Sequence, residues 1–175
     1  MFSNPEKNIE QLGLTPGMKV ADLGSGSGFY TIASARLVGT SGRVYSIDIQ
    51  KDLLTRIKTE ASKQKLLNVE IIWGDIEKIR GTRLSDSSID AVIASNICFQ
   101  VQEKDIFIKE IYRILKKNGQ VLVIDWSDSF SNLGPIASDI FTNEMAKKLF
   151  EEAGFKADKD FYAGDHHYGL IFKKQ

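Results

Sequence analysis

The sequence predicts an α/β domain in which a mostly parallel, doubly wound sheet of seven short strands carries helices on both faces and closes with an antiparallel C-terminal hairpin strand. Three observations carry this expectation. Short, nearly unbroken apolar runs such as Val44-Tyr45-Ser46-Ile47 and Ala91-Val92-Ile93-Ala94 have the length and character of strands buried on both faces. Segments of helical apolar spacing alternate with them, which is the pattern of a parallel sheet with crossover helices. After the last such helix, two strand-like segments follow each other across a Gly164-Asp165 turn with no helix between them.

Length and charge narrow the function classes. The 175 residues fit one domain, read here as residues 1–175 without a second unit, and 23 Lys and Arg balance 23 Asp and Glu. A balanced charge gives no global field for nucleic acid or an anionic membrane. Cys98 is the single cysteine, which excludes an intrachain disulfide or a cysteine-based zinc cluster and suits a reducing interior. The opening Met1-Phe2-Ser3-Asn4-Pro5-Glu6-Lys7 has no basic leader followed by an apolar core, and no run has transmembrane length. A cytoplasmic location is expected.

Residues 1–16 read as a helix and turn. Ser3 or Asn4 caps it, Pro5 sits where a missing N–H costs nothing, Ile9 and Leu12 form a short apolar face, and Gly13 ends it. It either covers the sheet or contributes to a substrate mouth. Thr15-Pro16-Gly17 then turns into the first strand, Val20 to Leu23.

The next stretch, Gly24-Ser25-Gly26-Ser27-Gly28, is the centre of the functional reading. Glycines at alternate positions let backbone approach a ligand and allow the positive φ angles of a sharp strand-to-helix turn. The helix from about Gly28 to Val38 follows, then the second strand, Arg43 to Asp48. Asp48 stands twenty positions after Gly28, at the end of the neighbouring strand, where an acid accepts hydrogen bonds from ribose hydroxyls in βαβ nucleotide sites. The spacing G-x-G-x-G departs from the dinucleotide fingerprint G-x-G-x-x-G. The stretch Val20 to Gly28 with Asp48 resembles the class I S-adenosylmethionine-dependent methyltransferases, which have a Rossmann-like fold, and the small UbiE-like members in particular.

That resemblance implies S-adenosyl-L-methionine as cofactor and S-adenosyl-L-homocysteine as product. It carries cofactor contacts onto Asp22, Gly24, Ser25, Gly26, Gly28, Tyr30, Asp48, Ile49, Gly74, Asp75, Ile76, Ser95 and Asn96, with the glycine turn at the methionine end, Asp48 at the ribose, and Asp75 and Ile76 at the adenine. It names no metal ligand and no catalytic residue.

The remaining elements keep the alternating pattern. Leu53, Leu54, Ile57 and Ala61 make an amphipathic helix; Val69 to Trp73 is the third strand, with Gly74-Asp75-Ile76 at its carboxyl end. Asp75 is also ordinary turn chemistry. Ser85 to Ser88 is a polar loop before the fourth strand, Ile89 to Ala94, which delivers Ser95-Asn96-Ile97-Cys98-Phe99-Gln100 to the same edge. Cys98, between Ile97 and Phe99, reads as core packing. Phe107, Ile111, Ile114 and Leu115 form a helical stripe from Glu103 onward, with Lys116 and Lys117 at its end and Gly119 as its stop. Gln120 to Trp126 is the fifth strand. The segment 110–119 resembles the family's R-x-L-K-P-G-G pattern, departing at Asn118 and Gln120.

Residues 126–141 lack periodicity but hold Phe130, Leu133, Ile136 and Ile140, and are expected to form a substrate lid or a connector. Thr142 caps a last helix that Gly154 ends, and Phe155 to Phe161 with His166 to Lys173 form the hairpin. His166 and His167 point to opposite faces, as edge residues or as a base. Substrate-side candidates are Tyr30, Asn96, Trp126 and Asp128. Methyl transfer to a small molecule is the leading expectation. A homodimer or partner subunit completing the substrate chamber, a noncatalytic cofactor-binding subunit and an NAD-dependent oxidoreductase are the alternatives.

Overall fold

The computed structural model describes residues 3–130 and 134–175. In chain order it contains α1 (Pro5–Glu10), β1 (Lys19–Leu23), α2 (Phe29–Val38), β2 (Arg43–Asp48), α3 (Lys51–Lys63), β3 (Val69–Trp73) and β4 (Ile89–Ser95). Then come α4 (Lys104–Ile114), β5 (Leu115–Trp126), α5 (Asn143–Glu152), β6 (Phe155–Gly164) and β7 (His167–Lys174). The strands form one sheet in the order β3-β2-β1-β4-β5-β7-β6. β1 to β5 run parallel, and β7 is antiparallel to both its neighbours.

Strand alternation sorts the core into two layers. On one face Val20, Val44, Ala91 and Ile93 pack with Ile9 and Leu12 of α1 and Ala33, Ala35 and Val38 of α2. On the other, Ala21, Leu23, Val92 and Val121 pack with Phe107, Ile111 and Ile114 of α4 and Ala146 and Phe150 of α5. The order reverses between β1 and β4, so their connections leave in opposite directions. A crevice opens there, beyond the carboxyl ends of the strands.

Two sequence expectations need correction, and a third left two readings open. α4 stops at Ile114, not at Lys117, because Leu115 already pairs with Ile89 of β4 and is fully buried. Lys116 is held by an ion pair to Asp90 at 2.6 Å. The turn then bends at Asn118, whose φ is 63°, while Gly119 is needed for close approach: a Cβ there would lie 2.9 Å from the Lys116 carbonyl. Second, His167 is no edge residue; it is 5% exposed, its ring 4.3 Å from that of Trp126. Third, α1 serves both readings, since Ile9 and Leu12 are core while Ser3 and Pro5 border the crevice.

No helix joins β3 to β4. The loop is secured by the fully buried Glu110 of α4, which accepts from Arg80 N at 2.8 Å, Thr82 Oγ1 at 2.6 Å and Arg113 Nε at 2.8 Å. Of the expected lid, residues 131–133 lie outside the described residues; the remainder includes a 3₁₀ turn at Ala137–Asp139 and the buried Phe141.

Candidate functional site

The crevice holds a cavity of about 590 Å³, within the roughly 300–1,000 Å³ usual for small-molecule sites. Its floor is the glycine turn after β1. Gly24 N and Ser25 N both donate to the Ile47 carbonyl, at 2.8 and 3.1 Å, and Gly28 N donates to the Ser25 carbonyl at 2.8 Å, folding the turn against the end of β2. Ser46 Oγ adds a bond to Ser25 Oγ at 2.7 Å. At Gly26 (φ 51°) an added Cβ would find nothing closer than 3.8 Å, so a side chain there would project into open space along the turn. Gly24 instead makes room for a neighbour. A Cβ on it would stand 2.7 Å from Ile97 Cδ1, so its absence lets the β4–α4 turn close over the floor.

Asp48 ends β2 beside this turn and is 7% exposed. Its Oδ2 accepts from Gly26 N at 3.0 Å and its Oδ1 from Gln50 N at 2.8 Å. Two backbone donors thus fix the carboxylate while it remains part of the cavity wall, with lone pairs left for a ligand's hydroxyls. Asp75 lines the far end; Lys78, 3.0 Å away, holds its carboxyl below the usual range, and Glu77 N donates to its Oδ1. At the opposite end stands Asn96, with φ 53° and its backbone N bonded to the Ile124 carbonyl. Its Oδ1 is buried without a protein partner, while the residue itself is part of the cavity lining.

All thirteen positions expected to contact a cofactor line this cavity except Asp22 and Gly28. Asp22 is 2% exposed inside β1 and accepts from Thr31 Oγ1 at 2.6 Å, tying β1 to the start of α2. Burial pushes its carboxyl up to about 6 against the lowering effect of that bond. Gly28 (φ 80°) begins α2, and a Cβ there would lie 2.5 Å from Ile57 Cγ1, so it is a packing glycine.

Of the substrate-side candidates, Tyr30 and Asn96 line the cavity, and Trp126 and Asp128 do not. Asp128 lies 2.7 Å from His166 Nδ1, and Trp126 faces His167. Asn8, buried on α1, reaches Ser3 Oγ, Tyr30 Oη and the Ala163 carbonyl at 2.8, 3.2 and 3.0 Å, and so sets the Tyr30 phenol at the cavity wall.

Ser3, Ile97 and Gln100 line the cavity as the reading of the N-terminal helix and of the segment after the fourth strand allows, whereas Glu77 and Val101 had no local signal in the sequence. Glu77 accepts from Gln102 N and Glu103 N at 2.8 and 2.9 Å, a contact made only when the β3–β4 loop meets the start of α4. His167 Nδ1 donates to the Asp165 carbonyl at 2.8 Å, which leaves the lone pair on Nε2; that atom is buried without a partner, and burial lowers the ring's pKa. Cys98 is 2% exposed, and burial pushes its thiol well up, so it is no nucleophile.

A glycine elbow after β1, an acid ending β2 and a last strand, β7, inserted antiparallel between β5 and β6 are features of the class I methyltransferase fold. The chain belongs to the S-adenosylmethionine-dependent methyltransferases: the methyltransferase-domain family matches residues 14–165. Its fold superimposes on that of a SAM-dependent methyltransferase from Aquifex aeolicus with a TM-score of 0.89, at 27% identity, covering 99% of this chain and 91% of that one. Among curated relatives it is 32% identical over 123 residues to the ubiquinone/menaquinone biosynthesis C-methyltransferase UbiE of Haemophilus ducreyi, covering 68% of this chain and 45% of that protein. It is 28% identical over 155 residues to an arsenite methyltransferase of Halobacterium salinarum, covering 82% of this chain and 39% of that protein. The chain therefore spans less than half the length of these two relatives.

Proposed function

We propose that this chain is a single methyltransferase domain, working in the cytoplasm, that binds S-adenosylmethionine in the crevice between β1 and β4 and directs its methyl group to a small-molecule acceptor. One observation carries the proposal: the open backbone at Gly26, the fixed carboxylate of Asp48 and Asn96 line one cavity. A nucleoside joined to an amino acid has complementary groups for each. Asp48 receives the ribose hydroxyls, Asp75 and Ile76 flank the adenine, and Asn96 with the Gly24–Ser27 turn takes the amino-acid end.

When bound, the cofactor supplies a methyl group on a positively charged sulfur that leaves readily as a neutral thioether. The protein's part is then orientation. Holding acceptor and methyl in near-attack geometry is worth roughly 7–11 kcal/mol in favourable cases, more than the 10²–10⁴-fold of a general base. Tyr30, clamped through Asn8 and Ser3, and Asn96 are the side chains that orient the acceptor, and an added homodimeric or partner surface is the natural way to close a mouth this open.

The names of the relatives offer carbon and trivalent arsenic as acceptors. Arsenic(III), a soft centre, is held by thiolates. These residues supply one cysteine, buried and with its thiol pKa raised, so a carbon, oxygen or nitrogen acceptor is favoured. Incubation with methyl-labelled S-adenosylmethionine and a small-molecule extract is expected to give a labelled, protease-resistant product. Label on arsenite in preference to any organic acceptor would reverse the choice of acceptor. Tight cofactor binding with no labelled product in metabolite, protein or RNA pools would instead mark a noncatalytic subunit.

A further inference from the structure

The wall of the cavity opposite Asp48 is the turn from Asn96 to Val101, which contributes Asn96, Ile97, Gln100 and Val101 to the lining. A turn this irregular needs its backbone groups anchored. Two side chains do so from behind. Asp125, fully buried near the end of β5, accepts from Phe99 N on Oδ2 at 3.1 Å and from Trp126 N on Oδ1 at 2.9 Å. Lys104 of α4 donates to the Val101 carbonyl at 2.6 Å.

We propose that Asp125 is a positioning residue for cofactor binding: its carboxylate holds the 96–101 wall in place, and the affinity for the cofactor is coupled to its ionisation. The inference rests on the functional reading above. The carboxylate faces backbone N–H donors of Phe99 and Cys98 on the wall and of Trp126 beside it on β5, and a protonated acid is the weaker acceptor, so protonation weakens its hold on the wall. Burial pushes this carboxyl up to about 7, against the lowering effect of the backbone donors and Lys104, which brings the change into the physiological range. The titratable groups around it are the Cys98 thiol on the turn, Lys104 on α4 and Tyr168 on β7, with Glu144 of α5 acting on Tyr168. Tyr168 Oη is committed to the Phe141 carbonyl at 2.6 Å, and neither it nor the buried thiol ionises near neutrality.

The test is calorimetric titration of S-adenosylhomocysteine into the full chain at about pH 6, 7 and 8, with Asp125→Asn and Asp22→Asn beside the unaltered protein. Asp22 is included because its own raised carboxyl titrates close by. The unaltered protein and Asp22→Asn are expected to bind about fivefold or more tightly at the high end than at the low end, within the usual 5–150-fold range of couplings. Asp125→Asn is expected to bind weakly with no step near pH 7. A step that survives Asp125→Asn, or equal affinity at every pH in the unaltered protein, overturns the inference. Should Asp125→Asn not fold by circular dichroism, the Asp22→Asn titration decides: a step still centred near 7 supports the inference, and its loss overturns it. Absence of any S-adenosylhomocysteine binding overturns the functional reading itself.

Discussion

Gly26 and Gly28 share a turn and a left-handed backbone but serve different ends. At Gly28 a methyl group would run into Ile57 at 2.5 Å; at Gly26 it would enter open space. Gly28→Ala is therefore expected to lower stability by about 2–4 kcal/mol through overpacking and backbone strain together. Gly26→Ala should cost only about 1 kcal/mol of fold stability yet weaken cofactor binding at least tenfold, since its methyl intrudes on the ligand's side. Urea melts paired with calorimetry separate the two; equal losses of stability would refute the distinction. Asp22 gives a second test. Its carboxyl is raised from 3.8 to about 6 in the folded state, so its contribution to stability is fully present below pH 3.8 and lost as pH rises through 6. Asp125, raised from 3.8 to about 7, acts in the same direction over a wider window, overlapping that of Asp22 below pH 6 and extending alone to about pH 7. Asp22→Asn is thus expected to flatten the fall in stability between about pH 4 and 6, by up to ~3 kcal/mol, and to leave the fall around pH 7. An unchanged pH profile would mean that burial does not govern this group.

Among the elements, the β3–β4 connection depends most on a single side chain. Glu110 is fully buried and bonded to Arg113 of its own helix and to the 80–82 loop; burial would raise its carboxyl, but these donors outweigh it and hold it below the usual range. Removing Glu110 leaves Arg80 N and Thr82 Oγ1 without their acceptor and Arg113 with only Asp86 and the Leu84 carbonyl, so Glu110→Ala is expected to destabilise by about 2–4 kcal/mol, read as a drop in Tm. A loss under 1 kcal/mol would show that the loop is held by other contacts. Nothing in the sequence around Glu110 marks it, because helical periodicity is indifferent to a partner thirty residues away. The strands, by contrast, were legible: burial on both faces leaves a run such as Arg43 to Asp48 or Ile89 to Ala94 almost no freedom to read as anything else, and the half-exposed edge strand Val69 to Trp73 still shows in its apolar, β-branched residues. The end of α4 was misread because Lys116, Lys117 and Gly119 imitate a helix terminus, whereas sheet pairing of Leu115 overrides that local signal. At the site, residues on the strand ends and just after them were legible from spacing, while Glu77 and Val101 arrive by tertiary packing alone. His167, expected at an edge, is buried because it opens β7 between Trp126 of β5, against whose ring it packs, and Gly164 of β6.

For the molecule as a whole, the strand order places the glycine elbow, Asp48 and Asn96 at the one point where the sheet's connections part, and the two helical layers do the rest by making that edge rigid. Among the described residues no helix is long and apolar enough to cross a membrane. A ligand that binds only the folded state raises stability by RT ln(1 + [L]/Kd), so S-adenosylhomocysteine at a hundredfold excess over Kd should add about 2.7 kcal/mol. The most direct test of the assignment is calorimetric titration of S-adenosylhomocysteine into the unaltered protein and into Asp48→Ala. The account predicts one saturable site in the first and a loss of affinity of at least about tenfold in the second, in keeping with hydrogen bonds to a charged group worth roughly 1.5–3 kcal/mol. Equal affinity in both, or binding of NAD in place of S-adenosylhomocysteine, would contradict it.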